Sequence, residues 1–143
     1  VTMAKKKGFK VLTYFMVGLP GETEKEVMET IDFAISLDSD YAEFNVCIPY
    51  PGTQMYQDAL EKKIIPDDFW HNYVSSPVPD FVIPHLYEEF LSREEMMRLS
   101  SLATKRFYFR PKVILRELLS CSSYGEFKKK ARMGLSLAKN VFT

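Results

Sequence analysis

FKVLTYFMVGLPGET, residues 9–23, is the stretch that decides the fold. Residues 9–19 are an almost unbroken run of β-branched, aromatic and aliphatic side chains, the composition of a strand buried on both faces. An interior parallel strand is therefore expected. The run ends at Gly18-Leu19-Pro20-Gly21, and Thr23 with Glu26 three residues later forms a capping box that opens a helix. Val27, Ile31, Ala34 and Ile35 recur at helical spacing to about Leu37, so this helix should lay its apolar face on the sheet. Ser39-Asp40 turns the chain, and residues 42–48, AEFNVCI, supply a second strand cut off by Pro49 and Pro51. Strand, helix and strand make a right-handed crossover, which places the chain in the α/β class.

Moving outward, Lys5-Lys6-Lys7-Gly8 has the composition of a helix C-terminus, and its short length predicts that the body of that helix lies further upstream. Downstream, residues 53–63 form a short helix, and residues 64–84 read as irregular but anchored by Trp70, Tyr73 and Phe81. Ser92 with Glu95 is a second capping box. It opens a helix with Met96, Leu99, Leu102 and Ala103 on one face, ending near Arg110. Pro111 suits the first turn of the next helix, residues 112–119, and Ser123 with Glu126 caps a last one carrying Phe127, Ala131, Leu135 and Ala138. The expected organisation is residues 1–65 as strand–helix–strand–helix, residues 66–91 as an aromatic-rich connector, and residues 92–143 as a helical tail.

At 143 residues, 46% hydrophobic and 27% charged, the chain is long enough to bury a core. Nineteen basic and nineteen acidic residues cancel, so no global field draws it to nucleic acid or to an anionic membrane. No apolar run reaches the roughly 20 residues of a transmembrane helix, and no signal peptide is evident, so a cytoplasmic location is expected. Cys47 and Cys121 form neither a CxxC pair nor a disulfide framework. The aromatic content of 14%, weighted to the second half, suggests a surface built to meet another part of a larger protein.

The chemistry concentrates at the strand ends. A glycine-rich turn after a parallel strand lets backbone approach a ligand closely, and the helix behind it presents unpaired N–H groups. Glu22 in that turn has two readings: an acceptor for an amine or ribose hydroxyl, or a favourable charge at a helix N-terminus. Residues 44–53, FNVCIPYPGT, repeat the design, so two adjacent strands deliver turns to one rim, where α/β proteins bind ligands. Asn45 either reads an adenine edge or pairs with neighbouring backbone.

GLPGET followed by an acidic amphipathic helix, and PYPGT at the end of the next strand, resemble the signature of radical S-adenosylmethionine barrels. The resemblance implies that the two strands are the last two β/α units of a partial (β/α)6 barrel followed by a mainly α-helical tail. Gly18, Pro20, Gly21 and Glu22 would then shape a turn facing S-adenosylmethionine, with Asn45, Pro49, Pro51, Gly52 and Thr53 beside the adenine. Residues 107–115, FYFRPKVIL, after a helix opening with LSREE, look like the C-terminal tail of cobalamin-binding members, including the anaerobic magnesium-protoporphyrin monomethyl ester oxidative cyclases. The implied parent is a cyclase or methyltransferase using S-adenosylmethionine, an iron–sulfur cluster and cobalamin. Its partners for this segment would be the rest of the barrel and an N-terminal cobalamin-binding domain.

The sequence departs from that pattern in having no CxxxCxxC cluster motif. The chain alone is therefore expected to bind no cofactor tightly and to be inactive. Methylthiotransferases also carry GxPGET and PGT turns, but their basic β-barrel tail differs from the helical, mixed-charge tail here. A third reading is non-catalytic: a two-stranded sheet has open edges, which predicts self-association by edge pairing or tail swapping. His71 and His85, near Asp67, Asp68 and Glu88, are too widely spaced for a helical metal motif, so no metal site is assigned. Lys128-Lys129-Lys130 with Arg132 reads as a solvated helix face. Phe107, Tyr108 and Arg110 read as docking residues for the tail, with Arg110 meeting a helix end or a carboxylate.

Overall fold

A computed structural model describes residues 1–77, 84–120, 123–129, 131, 132 and 134. The elements run α1 (Thr2–Lys6), β1 (Leu12–Val17), α2 (Glu24–Ser36), β2 (Tyr41–Val46), α3 (Gln54–Glu61), α4 (Phe69–Ser75), α5 (Arg93–Tyr108) and α6 (Pro111–Leu119). Residues 124–129 are also helical, with the Glu126 N–H donating to Ser123 Oγ at 3.2 Å, the expected cap. Leu135 and Ala138, assigned to that helix from the sequence, lie outside the described residues.

β1 and β2 pair in parallel as a two-stranded sheet, with Leu12 opposite Tyr41 and Val17 opposite Val46. α2 and α5 cover one face of it. Val27, Ile31 and Ala34 of α2 and Met96, Leu99, Ala103 and Phe107 of α5 are fully buried there with Val17. Phe15 stacks on Phe44 at 5.2 Å between centroids, and Phe107 meets Phe44 edge-on at 6.2 Å. Each such side chain contributes about 1.5–3 kcal/mol on leaving water, so this face carries most of the stability. Both capping boxes form: Thr23 N–H and Ser92 N–H each donate to the glutamate three residues on, at 2.8 Å.

The opposite face differs from the sequence expectation of a strand buried on both sides. Leu12, Tyr14 and Met16 are 40%, 65% and 52% exposed, and their cross-strand partners Tyr41, Glu43 and Asn45 are exposed too. The physical reason is that α2 and α5 pack on the same side, and no described element covers the other. The connector is corrected as well: α4 lies within it, capped by Asp68, whose carboxylate accepts from the His71 N–H at 3.1 Å. It packs with α3, where Tyr56, Ala59, Ile65 and Tyr87 form a second small core flanked by Trp70.

At the N-terminal end of the strands the chain is locked by charge. Asp40, 4% exposed, accepts from the Val11 N–H at 2.9 Å and pairs with Lys10 and Arg116. Asp38, held at φ 51°, pairs with Lys112 at 2.7 Å and with Lys5. The tail docks as its residues suggest: Phe107 is fully buried, and Arg110 Nη1 donates to the Ile35 carbonyl in the last turn of α2 at 3.1 Å.

Candidate functional site

The two turns singled out in the sequence meet at the C-terminal end of the sheet, because parallel pairing continues one step past the strands: the Cys47 N–H donates to the Val17 carbonyl at 2.7 Å. Gly18 and Ile48 therefore leave the sheet side by side.

Gly18 has φ 86°, in the left-handed region, and a Cβ there would strike the sulfur of Met96, a fully buried α5 side chain. Only glycine fits both demands. Gly21 also has a positive φ, and the Glu22 N–H donates to the Leu19 carbonyl at 2.9 Å, closing the turn around Pro20. Glu22 Oε2 accepts from the Gly18 N–H at 2.7 Å and the Leu19 N–H at 3.1 Å. Of the two readings left open for Glu22, the structure realises a third, local one: the carboxylate staples its own turn. Oε1 has no hydrogen-bond partner among the described residues.

The second turn is built on different supports. Pro49 is fully buried, and its carbonyl accepts from Trp70 Nε1 at 3.0 Å. Tyr50, 53% exposed, stacks on the Trp70 ring at 5.1 Å. Thr53 caps α3: its Oγ1 donates to the Tyr50 carbonyl at 2.6 Å and accepts from the Tyr56 N–H at 3.2 Å, while Gly52 takes φ 85° behind the exposed Pro51. Asn45 sits one step below, exposed on the open face opposite Met16, and its side chain makes no hydrogen bond to described residues. All nine residues marked out in the sequence thus lie at one rim, while their side chains take unequal parts: Asn45 presents free polar groups, and Pro49 and Thr53 are structural; Tyr50, not among the nine, adds exposed ring surface.

Two contributors carry no signal of their role in the sequence. Cys47, 8% exposed, lies between the turns with its Sγ 3.7 Å from Met55 Sδ; burial, and secondarily the Glu22 charge, raise its thiol pKa above the ordinary value. Trp70, expected only as an anchor, fixes the second turn. Elsewhere, His85 Nε2 lies 3.2 Å from Asp67 Oδ1, and no cluster of three His, Cys, Asp or Glu that could hold a metal occurs among the described residues. Lys128 and Lys129 are exposed as expected; Lys130, Cys121 and Phe81 lie outside the described residues. Among those residues no helix is long and apolar enough to cross a membrane. An apolar groove of about 790 Å³ runs beside β2, walled by Tyr108, Val113, Ile114, Leu118 and Phe127.

The chain is similar to a Pyrococcus horikoshii protein described as an uncharacterized methyltransferase, with 34% identity over 135 residues and 94% of this chain. The match spans 28% of that relative's length. No protein-family profile matches the chain, and no solved structure matches it.

Proposed function

We propose that this chain is one portion of a longer S-adenosylmethionine-dependent methyltransferase of the radical type, and that its strand-end rim forms one wall of the S-adenosylmethionine site. The observation that carries the reading is the juxtaposition of the 18–22 and 49–53 turns across the Cys47–Val17 hydrogen bond. The relative described as a methyltransferase, much longer than this chain, favours a methyltransferase over the oxidative cyclase that the tail resembles.

The rim residues fit a nucleoside carrying an amine. Asn45 offers two donors and an acceptor beside the apolar Met16, Tyr50 offers an exposed ring, and Glu22 Oε1 is an unused acceptor next to two positive-φ glycines. When bound, S-adenosylmethionine would supply the transferable methyl group or radical. This chain's part is to shape and orient: Met96 and Gly18 set the first turn, Trp70 sets the second, and Asn45 reads the ligand. Cys47, buried against Met55, does not fit a cluster ligand. In this reading the iron–sulfur cluster, the cobalamin and the cover for the open sheet face all belong to the rest of the longer protein.

The test is the coding sequence upstream of Val1. An in-frame CxxxCxxC is expected, and a complete gene beginning near Met3 would overturn the proposal. In the intact enzyme, Asn45→Ala should weaken S-adenosylmethionine binding by roughly tenfold, the effect of losing one or two good hydrogen bonds, as read by calorimetry. The isolated chain should bind it weakly or not at all.

A further inference from the structure

A two-stranded sheet has two outer edges, and in this molecule they are not alike. In a parallel ladder the backbone groups of alternate residues turn to opposite neighbours. Tyr41 N–H and Cys47 N–H both donate to the β1 side, so the odd-numbered residues of β2 face inward and Ala42, Phe44 and Val46 face out; just before the strand, the Asp40 N–H shares the Val11 carbonyl with Tyr41. The carbonyls of Asp40, Ala42 and Phe44 are each taken by a side chain, and only Val46, at the end of the strand, has none among the described residues. Arg116 Nη2 donates to the Asp40 carbonyl at 2.7 Å, and Ser100 Oγ donates to the Phe44 carbonyl at 2.7 Å. Between them the Tyr108 hydroxyl donates to the Ala42 carbonyl at 2.9 Å and accepts from the Ala42 N–H at 3.1 Å. One phenol oxygen thus meets both hydrogen-bonding groups of the residue, as a neighbouring strand would. Ser100 and Tyr108 lie on one stripe of α5, eight residues and so about two turns apart.

β1 has no such fittings. Among the described residues no side chain bonds the backbone of Leu12, Tyr14 or Met16, whose side chains stand exposed beside that edge.

We propose that Tyr108, Ser100 and Arg116 are a built-in edge lock that ends the sheet at β2, so that any further strand, whether from a longer chain or from a second copy of this one, joins only through β1. This sharpens the expectation of open edges drawn from the sequence, and it is independent of the proposed function. One open edge per molecule permits a closed dimer and no more, whereas two open edges permit unlimited growth. Burial holds the Tyr108 hydroxyl pKa above its ordinary value, so the donor stays protonated through the neutral range.

Hydrogen exchange and sedimentation on the chain with Tyr108→Phe and Ser100→Ala, singly and together, test this. In the wild type the Ala42 amide should be protected. In Y108F it should exchange roughly tenfold faster while the Ile31 amide in α2 is unchanged, the signature of one lost hydrogen bond without global unfolding. At micromolar concentration the wild type should sediment as nothing larger than a dimer, and the double variant should form larger, concentration-dependent assemblies. If a variant fails to fold, the wild-type measurement still decides, because an unprotected Ala42 amide means the edge is open. Wild-type assemblies beyond a dimer, or a folded Y108F with unchanged exchange at Ala42, would overturn the proposal.

Discussion

The two ends of the strands are built on opposite principles. At the N-terminal end, Asp38 and Asp40 gather Lys5, Lys10, Lys112, Arg116 and the Val11 amide into a network that ties α1, the α2–β2 turn and α6 together. At the C-terminal end the turns close on themselves through Glu22, Thr53 and Trp70, leaving the Asn45 side chain, the Tyr50 hydroxyl and one oxygen of Glu22 without hydrogen bonds among the described residues. Charges cancelled inside one end make a fixed base, and polar groups left unmatched at the other make a surface that chemistry can use. The difference supports the rim as the proposed ligand site, in keeping with where α/β folds place their sites.

Mutations can separate the base, the rim and the core beneath both. Phe107→Ala removes a fully buried ring that contacts Phe44, and should destabilise by about 3–5 kcal/mol in urea unfolding, loosening both ends at once. Asp40→Ala strips the buried partner of Arg116 and of the Val11 amide and should cost about 3 kcal/mol while leaving rim contacts intact; an equal loss of protection at Gly18 would erase the distinction between the ends. Gly18→Ala acts at the rim, adding a Cβ against Met96 at a positive φ, and should cost about 2 kcal/mol with the Asp40 network unchanged by exchange. Thr53→Ala removes the α3 cap for about 1 kcal/mol.

Acid separates the ends without mutation. The Lys112 hydrogen bond, with help from the charges of Lys112 and Lys5, lowers the Asp38 pKa. For Asp40, burial works the other way and is outweighed by the Val11 N–H and by Lys5, Lys10 and Arg116, so its pKa is lowered as well. Groups depressed on folding lend stability that is fully present above the unfolded carboxylate value, about pH 4, and is lost as pH falls through the folded values. Melting temperature followed downward from pH 7 should therefore hold and then drop below about pH 4. In Asp40→Ala the drop should be shallower.

Much of this is legible in the residues. Both capping boxes, the stripe Val27–Ile31–Ala34 and the strand-ending turns are local patterns, and local patterns survive folding. The open face is not legible, because a continuous apolar run such as LTYFMV has the same composition whether its cover lies in this chain or elsewhere. α4 is hidden because FWHNYVS buries no residue and so shows no apolar period. The place of Cys47 between the turns, and the paired hydrogen bonds of the Tyr108 hydroxyl with the Ala42 backbone, depend on which elements become neighbours, and no spacing records that. At the site, the positions of the nine rim residues are readable, but the self-stapling of Glu22 is not, since Gly18, Leu19 and Glu22 reveal it only once the turn is closed.

The methionine beneath Gly18 has a consequence in time. β1, α2 and β2 are consecutive and can pair early, but the first turn rests on Met96, near the start of α5, which follows the whole connector in sequence. Contacts so distant along the chain are made late, after the entropy of closing a long loop has been overcome. During synthesis the crossover can assemble while its rim is still unformed, and the surface offered to a ligand takes its final shape only when α5 has emerged and docked.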